Sequence, residues 1–399
     1  MADQTTCAPE KHGDASTDAV ADPRENSHLS LGRPRESRAT RQPCQFPAPQ
    51  WPGPVARLQV LHEIFEAQAD AAGTPAAGRK PQPASPLVTR LEQLGKMLRP
   101  TPHVPLAVEG MNLFAKLEYV NLVGSIKDRP AYWILKRAAE RGEICEETTV
   151  IESSSGNFAV ALAAFTRLLG LRFIPVIDPN ISPTYESVLR RLCPTVAKVE
   201  ERDDTDGFLK TRLQMVMHLC TTIPNAYWTN QYTNPAAVEA HYQLTAGEIC
   251  ADFDWLDYVF IGVSTAGTIA GMSRRLKERY PKVRIIAVDS EGSVIFGGKP
   301  RKRHIPGIGS SIVPPLLSHA MIDDVVLIPE YETVEACREL LTTHGLFVGG
   351  SSGTAFAAVK RYAARMALSE RPTVVFVCAD RGTPYLDTVF DPTWARRLE

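Results

Sequence analysis

Residues Thr149-Val150-Ile151-Glu152-Ser153-Ser154-Ser155-Gly156-Asn157-Phe158, running on into Ala159–Leu169, decide the fold. Thr149–Glu152 starts with β-branched residues and predicts a strand, while Ala159–Leu169 carries the apolar spacing of a helix. Between them lie three serines, a glycine and an asparagine, more polar than a helix cap requires. Small hydroxyl residues and a glycine at a helix N-terminus present free N–H groups, a site for a carboxylate or phosphate. Working outward, Phe173–Ile177, Val196–Val199, Val259–Val263, Ile285–Val288, Val325–Ile328 and Val374–Val377 are further short β-branched runs, separated by stretches with helical spacing. Apolar strands alternating with helices predict an α/β fold whose mostly parallel sheet is covered on both faces. Ligands in such folds bind beyond the carboxyl ends of the strands, so loops that directly follow a strand are where chemistry belongs.

Composition narrows the function. The chain has 399 residues, 44% apolar and 22% charged, with a net charge of -1. That length supports real cores without metal or disulfide staples, and that balance gives no electrostatic argument for nucleic acid or an anionic membrane. There is no run of eighteen apolar residues and no basic-then-apolar start, so a soluble cytoplasmic protein is expected. The eight cysteines contain no C-x-x-C pair, which argues against a zinc cluster or a disulfide framework, and no metal site is expected. Residues 1–86 hold 12 of the 31 prolines. Residues 1–50, without apolar periodicity, are expected to be a disordered leader whose removal spares cofactor binding and turnover. Residues 51–86 are expected to form a short helix between Val55 and Ala71, followed by a proline-rich linker. That helix either packs on the main body or a second subunit, or docks a partner.

Two other loops match the first. Gly124-Ser125-Ile126-Lys127-Asp128-Arg129 precedes an apolar helical stretch, which puts Lys127 near a helix N-terminus. The helix dipole there disfavours a cation and helps a lysine act as the neutral nucleophile of Schiff-base chemistry. Gly262-Val263-Ser264-Thr265-Ala266-Gly267-Thr268 is again strand, small-residue loop and helix. It lacks the patterns of an NTPase loop and of a dinucleotide fingerprint, and so predicts a cup for one isolated phosphate monoester.

Together these loops resemble the β-family, or fold type II, of pyridoxal-phosphate enzymes, the group of cysteine synthase and cystathionine β-synthase. The resemblance runs through most of residues 95–390. It implies pyridoxal 5'-phosphate as cofactor, held covalently by the catalytic Lys127 in its S-x-K-D-R context. It further implies that Ser154, Ser155, Gly156 and Asn157 receive the substrate carboxylate, with Asn157 also touching the cofactor's ring hydroxyl. Ser264, Thr265, Ala266, Gly267 and Thr268 would form the phosphate cup, and Gln231, in Gln231-Tyr232-Thr233-Asn234-Pro235, would face the substrate. The implied organisation is a catalytic region over 87–390, with a smaller domain of about 120–230 inserted between the two parts of a larger one, and a tail over 391–399. The implied partners are small amino-acid substrates and a second copy of the chain in a homodimer.

Two departures stand out. Ser264 and Ala266 replace two glycines of the family's G-T-G-G-T cup. Arg381, in Cys378-Ala379-Asp380-Arg381-Gly382-Thr383, takes the place of the serine set against the pyridine nitrogen. A guanidinium cannot accept a hydrogen bond, so Arg381 is expected to turn outward and pair with an acidic group. A hydroxyl from Gly350–Gly353 or Thr383 would then serve the nitrogen. The Glu-Ser-Ser-Ser-Gly-Asn spelling, the Ser-Thr-x-Gly-Thr cup and Asp-Arg-Gly resemble a branch of the family that serves siderophore synthesis. Its members join O-phospho-L-serine to L-glutamate on the way to 2,3-diaminopropionate. On the helical stretch Gly207–Leu219, Arg212 lies on or beside the apolar face. It is either a snorkelling or ion-paired structural residue, or a guanidinium aimed at a dicarboxylic acceptor such as glutamate. Cysteine synthesis from O-acetyl- or O-phosphoserine with sulfide, and a catalytically silent regulatory homologue, are the alternative readings.

Overall fold

The computed structural model describes residues 85–203 and 207–398. The expected leader over 1–50 and the helix between Val55 and Ala71 lie outside the described residues. The chain proceeds through α1 (Pro86–Met97), β1 (His103–Leu106), β2 (Asn112–Leu117), α2 (Asp128–Glu140), β3 (Thr149–Ser153), α3 (Asn157–Leu169), β4 (Arg172–Ile177), α4 (Pro183–Leu192) and β5 (Ala197–Lys198). It continues through α5 (Leu209–Thr222), β6 (Ala226–Trp228), α6 (Pro235–Ala240), α7 (Ala246–Asp252), β7 (Tyr258–Gly262), α8 (Gly267–Arg279) and β8 (Arg284–Ser290). The last major elements are β9 (Asp324–Ile328), α9 (Glu330–His344), α10 (Gly350–Tyr362) and β10 (Thr373–Cys378).

Two sheets result. A six-stranded sheet has the order β1-β2-β10-β7-β8-β9, and a four-stranded sheet has the order β5-β4-β3-β6. Every pairing is parallel except β1 with β2. Each of the seven apolar runs read from the sequence falls on a strand. Three strands escaped that reading: β1 and β2, which carry few β-branched residues, and β6, which is three residues long. Among the described residues no helix is long and apolar enough to cross a membrane.

Local chemistry explains the element that matters most. All five residues of β3 are buried, so the strand reads as a continuous run rather than an alternating one. Gly156 begins α3 in an extended conformation, and Gly170 closes it at φ 74°, donating its N–H back to the carbonyls of Thr166 and Arg167. On α1, capped by Ser85, the buried Leu87, Leu91 and Leu94 contribute about 2 kcal/mol each by leaving water.

The start of α2 is held by charge. Arg129 is fully buried and donates from Nε to Glu118 Oε2 at 3.0 Å, while its other nitrogens reach both Glu248 oxygens. The buried Lys116 closes the cluster at 2.6 Å from Glu248. Such a network is stable only while every member is paired, so removing one partner costs about 3–5 kcal/mol. Lys127 stands two residues before Arg129, and this cluster sets its position.

Candidate active site

Four loops meet at the carboxyl ends of strands β3, β7 and β10 and at the start of α2. The cleft they enclose is lined by Lys127, Asn157, Ser264, Thr265, Ala266, Thr268, Ser351 and Asp380, with Ile126, Ile261, Gly262, Gly307, Val377 and Ala379 completing the wall. Ser154, Ser155, Gly156 and Gly267, also singled out in the sequence, are chain neighbours of lining residues without lining it, and Gln231 is bonded to Ser153 behind the serine loop.

Lys127 caps the N-terminus of α2. Its loop is tied to the end of β10 by a bridge between Ser125 and Asp380 and by Ile126 N–H donating to the Ala379 carbonyl at 2.8 Å. Burial draws the Lys127 ammonium down to about 8, against the opposing pull of the Asp380 carboxylate. At that value about a tenth of the side chain is free amine at pH 7, far more than an ordinary lysine offers, as Schiff-base formation requires.

On the second loop Asn157 is shared. Its Nδ2 donates to Asp380 Oδ2 at 2.7 Å, and its Oδ1 accepts from the Tyr185 hydroxyl. Ser155 Oγ donates to Asp178 Oδ2 at 3.1 Å and accepts from Arg212 Nη1 at 3.1 Å. Arg212 also pairs with the buried Asp178 at 3.2 Å. Arg212 is therefore ion-paired, and at the same time it lies against the loop that adjoins the cleft. Beneath the loop, Gln231 donates from Nε2 to the Ser153 carbonyl at 3.3 Å. Glu152 Oε2 accepts from the Thr229 hydroxyl at 2.5 Å and from Gln231 N–H at 3.4 Å.

The third loop ends at the N-terminus of α8, whose first N–H groups have no helical partners and face an anion well. Ala266 caps this helix at φ 65°, a left-handed conformation that glycine adopts without cost and alanine does not. The glycine usual at that position in the resembling family thus has a physical reason, and the alanine here is strained. Ser264 Oγ donates to the Gly309 carbonyl at 3.1 Å, so the hydroxyl is engaged by the neighbouring turn.

Thr268 meets His241 Nε2 at 3.2 Å, and His241 Nδ1 meets Thr245 Oγ1 at 3.0 Å. His241 opens a π-helical turn, His241–Thr245, and burial, with the charges of Lys127 and Arg129, keeps its ring neutral. Gly271 permits this contact, since a Cβ there would stand 2.2 Å from the Val238 carbonyl oxygen and 2.8 Å from His241 Cβ.

The fourth loop holds what the sequence reading passed over. Asp380, one residue before Arg381, is buried in the cleft wall and accepts from the Tyr385 hydroxyl and from Asn157, both at 2.7 Å. Its Oδ1 has no partner, and burial pushes its carboxyl above the usual carboxylate range. The space is conditional on Gly349, because a Cβ there would lie 2.1 Å from Asp380 Oδ1. The available signal was position: Asp380 directly follows a strand, as the other loops do.

Arg381 is exposed and turned outward, as expected, but its Nε donates to the Tyr119 carbonyl at 3.1 Å and not to an acidic group. A backbone carbonyl suffices there because water solvates the rest of the guanidinium. Of the hydroxyls considered for the pyridine nitrogen, Ser351 lines the cleft, Ser352 accepts from Ala379 N–H and Thr383 is exposed.

The donor set fits pyridoxal phosphate. A helix N-terminus with hydroxyl side chains suits its phosphate, a half-buried lysine with a lowered pKa suits its aldehyde, and the orphaned Asp380 Oδ1 offers a buried polar contact.

Comparison with known proteins agrees with this geometry. Residues 95–380 match the family model described as pyridoxal-phosphate dependent enzyme. An N-(2-amino-2-carboxyethyl)-L-glutamate synthase of Ralstonia nicotianae (strain ATCC BAA-1114 / GMI1000) is 45% identical over 288 residues, 72% of this chain and 84% of the relative. The crystal structure of an O-acetylserine dependent cystathionine β-synthase from Helicobacter pylori superposes with a TM-score of 0.68 at 31% identity, covering 73% of this chain and 96% of that one. An O-ureido-L-serine synthase gives 0.68 at 28% identity, over 78% and 96% of the two chains. With its largely parallel sheets, its lysine at the head of α2 and its small-residue cup at the head of α8, the chain belongs to the pyridoxal-phosphate-dependent enzymes of fold type II.

Proposed function

We propose that the enzyme performs a β-replacement that joins O-phospho-L-serine to the amino group of L-glutamate. The product is N-(2-amino-2-carboxyethyl)-L-glutamate, a precursor of 2,3-diaminopropionate. The observation that carries this reading is the 45% identity, over 84% of its length, to a synthase of that name. Arg212 against Ser155 supports it, by placing a guanidinium beside the loop that receives amino-acid carboxylates.

In this mechanism the residues divide the work. Ser264, Thr265, Ala266, Gly267 and Thr268 hold the cofactor's phosphate on the free amides of α8, with the neutral His241 fixing the Thr268 hydroxyl. Pyridoxal phosphate, when bound through Lys127, supplies the sink for electron density withdrawn from the substrate's Cα. Ser154, Ser155, Gly156, Asn157 and Gln231 receive the donor's carboxylate. Lys127 Nζ, with its basicity lowered by burial, would be the base that takes the Cα proton. Loss of phosphate from Cβ then opens that carbon to the acceptor's amine, and Arg212 orients the acceptor's carboxylate. Asp380 holds Asn157 and Tyr385 in place, and Ser351, which lines the cleft, would offer its hydroxyl to the pyridine nitrogen.

Water must stay out until the amine attacks, and the smaller domain, about residues 120–230, closes over the cleft to exclude it. In keeping with the family resemblance, the enzyme works as a cytoplasmic homodimer and supplies a siderophore pathway.

The test is mass spectrometry of products from the pure enzyme, given O-phospho-L-serine or O-acetyl-L-serine with L-glutamate, sulfide and other amines. The expected result is the glutamate adduct in preference to cysteine. Cysteine as the dominant product would make this a cysteine synthase. The absence of any product, with Lys127 unmodified after borohydride reduction, would make it a silent homologue.

A further inference from the structure

Joining an amine to the donor takes two bases. Lys127 serves Cα. The acceptor brings a second proton to be removed, because an amino acid is an ammonium at neutral pH and its nitrogen has no lone pair to offer until that proton leaves. Among the described residues that line the cleft, Lys127 and Asp380 alone carry an amine or a carboxyl.

The surroundings of Asp380 suit a group that receives a proton. Its Oδ2 is occupied by the Tyr385 hydroxyl and by Asn157 Nδ2, both at 2.7 Å, while its buried Oδ1 has no donor. A buried carboxylate with one bare oxygen is costly, and a proton arriving on that oxygen removes the charge. The contact with Asn157 sets the carboxyl against the serine loop, and the bridge between Ser125 and Asp380 ties it to the loop of Lys127. Other ionisable side chains also face it: Tyr185 from α4, Cys337 from α9, Cys378 at the end of β10 and Tyr385 beyond it. Burial pushes both thiols and both phenols up, so these four stay neutral near pH 7 and exchange no proton with a substrate. Lys127 and Asp380 are what remain, and the negative charge of Asp380 attracts an ammonium.

We propose that Asp380 is the catalytic base that takes a proton from the acceptor's ammonium. The assignment deepens the reading given above and rests on it only in requiring an amine as acceptor. One N–H bond of the ammonium breaks and one O–H bond forms on Asp380. The pair left on nitrogen makes the N–C bond to Cβ, and Lys127 returns its proton to Cα. Phosphate departs with the electron pair of the Cβ–O bond and takes up one proton to become hydrogen phosphate, so the proton given up by the ammonium is balanced over the turnover. A hydrosulfide acceptor, already an anion with a free pair, needs no such base.

The test compares the holoenzyme with Asp380→Asn and Tyr385→Phe. Asparagine keeps an oxygen for Tyr385 and Asn157 and loses the base. With O-phospho-L-serine saturating, kcat/KM for L-glutamate is followed against pH. Asp380→Asn is expected to lower it on the order of 100-fold near pH 7, the usual worth of a positioned base, and the gap should shrink towards about pH 9.5, where more of the glutamate arrives as free amine. Tyr385→Phe withdraws a hydrogen bond that favours the Asp380 carboxylate, so the lower pKa of the same profile should rise. The infrared difference between the parent and Asp380→Asn should contain a carboxylic acid band that titrates with that lower pKa. A loss equal at both pH values, no loss, a missing infrared band, or an unmoved or lowered pKa in Tyr385→Phe overturns the proposal. A parent enzyme that joins no amine to the donor overturns instead the acceptor reading on which it rests.

Discussion

Replacing Glu152 with glutamine should make the protein more stable, and increasingly so as the pH rises. Glu152 is the penultimate residue of the strand that leads into the serine loop and is completely buried. Its Oε2 accepts from Thr229 and Gln231, while Oε1 has no hydrogen-bond partner. Burial outweighs these bonds and raises its pKa from the ordinary value near 4.5 to about 7. The folded state therefore binds this proton more tightly than the unfolded chain does. The stability so gained is complete below about pH 4.5 and is lost as the pH rises through about 7.

A difference of that size corresponds to about 3 kcal/mol at pH 8 and about 1 kcal/mol at pH 5. Glutamine keeps an oxygen for Thr229 and Gln231 and puts an uncharged amide where Oε1 stands, so it escapes the pH-dependent part. Urea midpoints of the parent and Glu152→Gln, followed by circular dichroism at pH 5 and pH 8, measure the gap. The expected outcome is a variant advantage that widens with pH. A gap of constant size, or a variant equally destabilised at both values, would refute the reasoning, because then the hydrogen bonds and not the buried charge would dominate.

Further outcomes follow from the same cleft. Ala266→Gly relieves a left-handed alanine worth about 1–2 kcal/mol and loses about 0.5–1 kcal/mol to the freer unfolded chain, so denaturation should show a net gain of up to about 1.5 kcal/mol. In the apoprotein, Lys127 must be a free amine to react, so the rate of Schiff-base formation with added pyridoxal phosphate, followed by its visible absorption, should rise with pH and level off above about 8. Asp380→Asn removes the carboxylate that raises the Lys127 pKa and should move that midpoint to lower pH; an upward move would contradict the assignment. Arg212→Gln leaves the buried Asp178 without its partner, so it is best read in the double variant with Asp178→Asn. There KM for L-glutamate should rise about tenfold while phosphate release from the donor stays within about twofold. Equal loss of both would make Arg212 structural.

What the sequence determined by itself was local. The strand, the small polar loop and the helix beginning at Asn157 and at Gly267 are each written within about twenty contiguous residues, as are the loop and helix at Asp128 without their strand, because burial on both faces demands apolar strands and a helix N-terminus that faces an anion demands small residues. That was enough for the parallel α/β fold, and for Lys127, Asn157 and Ser264–Thr268 as candidates. Strands β1, β2 and β6 were not legible, since their pairing depends on neighbours far away in the chain. Only the tertiary structure brought Asp380 to Asn157 across 223 positions, set His241 under Thr268, and joined Arg212 to Asp178 and Ser155. It also decided that Asp380 enters the cleft while Arg381 leaves it. Successive residues after a strand point to opposite sides, and which side is the cleft depends on the register of β10 between β2 and β7, a long-range pairing that no local pattern encodes.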